Sequence, residues 1–162
     1  MKTLVLMRHA KAESRGIDGS DAGRVLSPRG RQEASAAGLQ LAELGLQHAL
    51  VSSATRTRQT FECLALDMGA EYQHALYNCG TETMLQRIRE TDEAITGLLV
   101  VGHAPAIPSL AAAFTWAADR RAADQLQCHF PTAAFEVFTF DAPWSSLDLD
   151  DLPDMQRGGA SA

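Results

Sequence analysis

The sequence is short of the residues that would tie it to a metal, a membrane or a nucleic acid. Its three cysteines, Cys63, Cys79 and Cys128, are scattered without metal-ligand spacing, and an odd, unpatterned count fits reduced thiols. No apolar run approaches the ~18 residues that a transmembrane helix needs, so no membrane span is expected. Met1-Lys2-Thr3 leads straight into an apolar strand, with neither the apolar region nor the small-residue cleavage site of a secretory leader, so a cytoplasmic location is expected. Positive charge is also in deficit: 14 Lys and Arg stand against 20 Asp and Glu, a formal net charge of −6. A chain so balanced has no broad basic face for nucleic acid. It also repels anions at long range, so a site for an anionic substrate would need arginines concentrated locally.

What is present is an ordinary globular composition, 46% hydrophobic and 21% charged, over 162 residues, enough for one domain with a full core. Two apolar runs organise it. Leu4-Val5-Leu6-Met7 ends at Arg8-His9, and Leu98-Leu99-Val100-Val101 ends at Gly102-His103. Each reads as a buried strand delivering a histidine at its carboxyl end, where open α/β sheets place their ligands.

Between and after these runs, strand and helix patterns alternate. The first strand covers about residues 3–8, and a polar loop with Gly16, Gly19 and Gly23 follows over residues 11–26. Ser27-Pro28 supplies an N-cap and a first-turn proline, Ala34, Ala37, Leu41 and Leu44 form an apolar stripe, and Gly45 closes the helix. A short strand at residues 49–52 leads into a helix from about Ala54 to Gly69, with Arg56 in its first turn. Unpaired N–H groups and the positive dipole end make such a turn a ready anion site. Residues 72–76 are a weak strand candidate, and a helix covers about residues 82–91. A further helix follows Pro105, a helical patch runs to about Gln125, and Phe135–Phe140 is the last strand. This alternation predicts an α/β fold, a largely parallel sheet with helices on both faces. The chain divides into residues 1–141 and an acidic C-terminal tail, residues 142–162, whose Asp and Gly content disfavours a core role beyond a tether at Trp144 and Leu147.

Arg8-His9 after the first strand, Ser52-Ser53-Ala54-Thr55-Arg56 at a strand-to-helix turn and Gly102-His103 after a later strand together resemble the histidine phosphatase, or phosphoglycerate mutase-like, superfamily. Ala10 stands where Arg-His-Gly is usual, a variant similar to the small SixA-type phosphohistidine phosphatases. Arg24-Val25-Leu26-Ser27-Pro28-Arg29-Gly30 and Phe130-Pro131-Thr132 also resemble that subgroup. The resemblance spans about residues 1–140 and implies a three-layer α/β/α sandwich around a mostly parallel sheet. It implies a phosphatase rather than a mutase, with a phosphorylated histidine on a protein as the preferred substrate and no cofactor. A phosphatase for small phosphate monoesters and a non-catalytic phosphate-binding module are the alternatives. A metal-dependent hydrolase ranks below them, since no Asp, Glu or Cys stands at ligand spacing near either histidine.

The chemistry fits these residues. Arginine forks match the equatorial oxygens of a phosphoryl group, a part Arg8 and Arg56 can fill. His9 is the expected nucleophile. It must be neutral, with neighbouring guanidinium charges lowering its pKa and a backbone carbonyl fixing its other nitrogen. His103, protonated when phosphate is bound, would complete the oxygen cage, and water would then hydrolyse phospho-His9. Asp21 in the first long loop and Glu82 at a helix start are the candidate proton donors to the leaving group. Arg24, Arg29 and Arg31 read as a solvated face, and His48, His74 and His129 as surface or packing residues.

Overall fold

The computed structural model describes residues 1–160. Lys2–Arg8 (β1) pairs in parallel with Gly97–Gly102 (β4), which pairs in parallel with His48–Ser52 (β2), and β2 pairs in parallel with Gly69–Gln73 (β3). Phe135–Phe140 (β5) and Gln156–Ala160 (β6) complete the other side by antiparallel pairing, giving the order β3-β2-β4-β1-β5-β6. The sheet is thus mostly parallel.

Alternation along the central strands feeds two cores. Leu4, Leu6, Leu98 and Val100 face one side, where they meet Thr81–Arg89 (α3), Ala106–Trp116 (α4) and Arg120–Cys128 (α5). Val5, Met7, Leu99 and Val101 face the other, against Pro28–Leu41 (α1) and Thr55–Leu64 (α2). A strand apolar at every position must be covered on both faces, and this is the three-layer α/β/α sandwich. No helix among the described residues is long and apolar enough to cross a membrane.

Ser27 caps α1 as its sequence implies, its hydroxyl accepting from the Gly30 N–H at 3.0 Å. The helix stops at Leu41, and Gly45 lies beyond it in the turn, at φ 68°. α2 ends at Leu64, well before Gly69, because Ala65 takes the left-handed conformation at φ 54°. Gly38 lets that helix end approach: a Cβ there would run into the Leu64 carbonyl. β3 lies earlier than residues 72–76, over Gly69–Gln73, with a 3₁₀ turn at His74–Leu76 after it. It is an edge strand, mostly exposed, so burial writes little pattern into it.

The segment after Asp141 packs against the domain through the two residues that the sequence offers as a tether. Trp144 and Leu147 are fully buried, the Trp144 indole N–H donates to the Ile95 carbonyl at 2.7 Å, and its ring meets Phe140 edge-on. Further on, β6 extends the sheet, and Arg157 forks onto the buried Glu136 carboxylate at 2.9 and 3.1 Å. A few large apolar side chains anchor the stretch although its average composition is polar.

Candidate active site

Adjacent strands bring the two histidines together. Arg8 on β1 is in register with Gly102 on β4, and the residue that follows each strand is a histidine. The His9 N–H donates to the Gly102 carbonyl at 3.0 Å, and the His9 and His103 rings lie 5.4 Å apart. On the other side of β4, β2 ends at the fully buried Ser52, whose hydroxyl lies 2.7 Å from His103 Nε2.

The helix after β2 carries Arg56 in its first turn, only 6% exposed. Thr60 ties this helix to the histidine motif: its hydroxyl donates to the Arg56 carbonyl at 2.7 Å and accepts from the Ala10 N–H at 2.9 Å. Arg8 is fixed from the loop before β5, its Nη1 donating to the Phe130 carbonyl at 2.9 Å. Ala133, at φ 64°, donates its N–H to the His9 carbonyl, so the loop containing Phe130-Pro131-Thr132 wraps the motif.

His9 is 8% exposed. Its Nδ1 lies 2.8 Å from the Ala10 carbonyl, which can only accept, so Nδ1 carries the proton and Nε2 keeps its lone pair. Burial lowers its pKa to about 4, against the opposing effect of the Ala10 bond, and Arg56, Arg8 and Arg24 push the same way as burial. Desolvation therefore outweighs the arginine charges that the sequence suggests as the cause. Burial, then the charge of Arg56, lowers His103 to about 3. Both rings are neutral at pH 7 in the free protein, and a bound phosphate dianion would raise the pKa of His103.

Arg8 Nε, Arg56 Nε and His103 Nδ1 are buried without a protein partner. Such orphaned groups cost on the order of 1–3 kcal/mol each unless something satisfies them. Two guanidinium donors and an imidazole nitrogen around a neutral histidine suit a tetrahedral oxyanion. Among the described residues, no three His, Cys, Asp or Glu side chains cluster so as to hold a metal ion.

The structure treats the two proposed proton donors differently. Glu82 is exposed in the first turn of α3 and faces a cavity with Arg89 and Asp148. Asp21 lies at the site itself. Its Oδ2 accepts from the Tyr77 hydroxyl at 2.6 Å and from Arg56 Nη2 at 3.1 Å, while Oδ1 accepts from Arg24 Nη1 at 3.2 Å. The Tyr77 hydrogen bond is the largest influence lowering its carboxyl to about 2, with Arg24 and Arg56 adding to it. At neutral pH Asp21 is ionised in the free protein. Arg24 is therefore part of this network as well as of the surface.

The sequence offers no signal for the parts played by Ser52, Thr60 and Tyr77. Ser52 and Thr60 lie within a run that resembles the family, but neither residue type announces a role. Tyr77 comes within reach only through the 3₁₀ turn after β3.

Residues 4–76 match the family described as histidine phosphatase superfamily (branch 1). An uncharacterized protein of Mycobacterium tuberculosis is 35% identical over 147 residues, covering 88% of this chain and 92% of its own. The structure of a candidate phosphohistidine phosphatase SixA from Nakamurella multipartitia superposes with a TM-score of 0.86 at 30% identity, over 99% of this chain and 95% of that one. The protein histidine phosphatase SixA complexed with tungstate shares the fold, with a TM-score of 0.75 at 22% identity over 98% and 95% of the two chains.

Proposed function

This chain belongs to the histidine phosphatase superfamily, with SixA-type architecture, and we propose that it hydrolyses a phosphorylated histidine on a protein through a phospho-His9 intermediate, without a metal. The observation that carries this reading is the state of His9: neutral, held in one tautomer by the Ala10 carbonyl, and bordered by the unpaired Nε donors of Arg8 and Arg56. In the first step the His9 Nε2 lone pair attacks phosphorus and the leaving group departs with the bonding electrons. Arg8, Arg56 and His103 hold the three equatorial oxygens, where stabilisation is worth most. In the second step water attacks phospho-His9 and releases phosphate, and the nitrogen recovers its lone pair.

The candidate donor that contacts Arg56 supports the choice of substrate. An alkoxide leaving group needs a positioned proton donor, typically worth ~10²–10⁴-fold. In the free protein Asp21 is held ionised, which argues against that role. Imidazole, with a pKa of ~6.5, leaves readily as a neutral ring. The test is kcat/KM across phosphohistidine, aryl phosphates and alkyl phosphates, with and without EDTA. The expected order is phosphohistidine and aryl phosphates well above alkyl phosphates, unchanged by EDTA. Efficient alkyl phosphate cleavage would favour a small-monoester phosphatase. A protein that binds phosphate and turns over none of these would be a binding module. Activity lost to EDTA and restored by a divalent cation would refute the metal-free mechanism.

A further inference from the structure

We infer that Asp21, braced by Tyr77, binds the leaving group: its carboxylate accepts a hydrogen bond from the free ring N–H of a protonated phosphohistidine, so that the imidazole departs neutral without a proton donor. This rests on the phosphohistidine reading above.

A carboxylate beside an oxyanion site needs a reason, because it repels the ligand and dilutes the charge of Arg56. Asp21 nevertheless engages Arg56 twice, through its backbone carbonyl at 2.9 Å from Nη1 and through Oδ2 at 3.1 Å from Nη2. Arg56 Nε has no protein partner, and with phosphate on that nitrogen the carboxylate would stand one guanidinium group away from the phosphoryl group. A phosphorylated imidazole has a similar reach: one nitrogen carries phosphorus, and the other lies across a five-membered ring. When protonated, that second nitrogen is a cationic donor. Aryl and alkyl phosphates carry nothing equivalent.

Asp21 has the capacity to receive it. A carboxylate offers about four lone-pair directions. Tyr77, Arg56 and Arg24 use three, and the side chain remains 50% exposed. Aromatic and cationic groups surround it. Tyr77 stands edge-on to His103 at 5.7 Å, with the Arg56 guanidinium 6.0 Å from its ring centre. From His103 a cavity of about 280 Å³ runs along Asn78, Gly80 and Pro105, giving room for the residue that bears the imidazole. The loop is also built to hold the carboxylate still. The Thr55 N–H donates to the Ala22 carbonyl at 2.9 Å, and Arg24 Nε donates to the Glu13 carbonyl at 2.7 Å.

The step balances. His9 Nε2 forms its bond to phosphorus as the substrate P–N bond breaks, and that electron pair returns to the substrate ring. The substrate ring, cationic before transfer, leaves neutral with its N–H still on Asp21. His9, neutral before transfer, becomes the cationic phosphoimidazole with its own N–H on the Ala10 carbonyl.

The experiment is the pH profile of kcat for wild type, Asp21→Asn and Tyr77→Phe, with a histidine-phosphorylated peptide and with p-nitrophenyl phosphate. Asp21→Asn should depress turnover of the phosphopeptide at least ~10-fold more than that of p-nitrophenyl phosphate. A carboxylate beside a cation favours protonation by ~1 pH unit or more, so the alkaline limb of the phosphopeptide profile should move down by that much in Asp21→Asn. Tyr77→Phe should act in the same direction and more weakly. An equal loss on both substrates with the alkaline limb unmoved would make Asp21 a brace for Arg56 alone and overturn the inference. Wild type that cleaves p-nitrophenyl phosphate but leaves the phosphopeptide intact would overturn the phosphohistidine reading, and this inference with it.

Discussion

His9 and His103, 94 residues apart in sequence, sit at the same level of the sheet because Arg8 and Gly102 are paired across β1 and β4, with their rings 5.4 Å apart and tilted by 57°. His9 is buried and His103 half-buried, both are neutral, and Arg56 and Arg8 lie close enough to lower the pKa of each. This division sets the expectations that follow.

Arg8→Ala and Arg56→Ala should each lower kcat/KM by on the order of 10²-fold or more, since each removes a preorganised donor to the transition state. Arg56→Lys keeps the charge but loses the fork that holds Asp21 and, on the proposed mechanism, phosphate, so it should recover little. Recovery to near wild-type rates by lysine would show that charge alone suffices.

Ser52→Ala should leave the fold intact and reduce kcat/KM by roughly 3- to 10-fold, the worth of one hydrogen bond. The buried hydroxyl orients His103 through Nε2. Steady-state kinetics beside a melting curve would separate this loss from instability, and an unchanged rate would remove Ser52 from the site.

Stability should fall on acidification. The unfolded chain protonates its histidines near pH ~6.5. Folded His9 resists protonation down to about 4 and His103 down to about 3. Between these limits the unfolded state binds more protons, so their contribution is complete above pH ~6.5 and is lost as the pH falls below that. The Tm of wild type should drop over this window more steeply than that of His9→Asn. Parallel curves for the two proteins would contradict the assignment.

Trp144→Ala should destabilise the protein by ~3–5 kcal/mol, as expected for a large aromatic removed from a core. The ring is fully buried against Phe140, and its N–H is paired with Ile95. A Tm within a degree or two of wild type would show that residues beyond Asp141 are dispensable after all.

Much of this arrangement was legible in the chain. The runs at residues 4–7 and 98–101 are apolar throughout because helices cover both faces, and their ends mark the site. Ser27-Pro28 marks the start of α1 because capping is a local event. The site network was not legible, because Asp21, Arg56 and Tyr77 meet through loop geometry that no spacing encodes. β3 was misplaced because an exposed edge strand needs no apolar pattern. After Asp141, Trp144 and Leu147 stand out as a tether, but the aspartates and glycines around them give no apolar alternation that would mark β6.

The central claim is that His9 carries the phosphoryl group. Wild-type protein mixed with ³²P-labelled substrate and quenched in alkali within milliseconds should retain protein-bound label that acid releases, and His9→Ala should retain none. Label persisting on the His9→Ala protein, or turnover by that variant at the wild-type rate, would contradict the account.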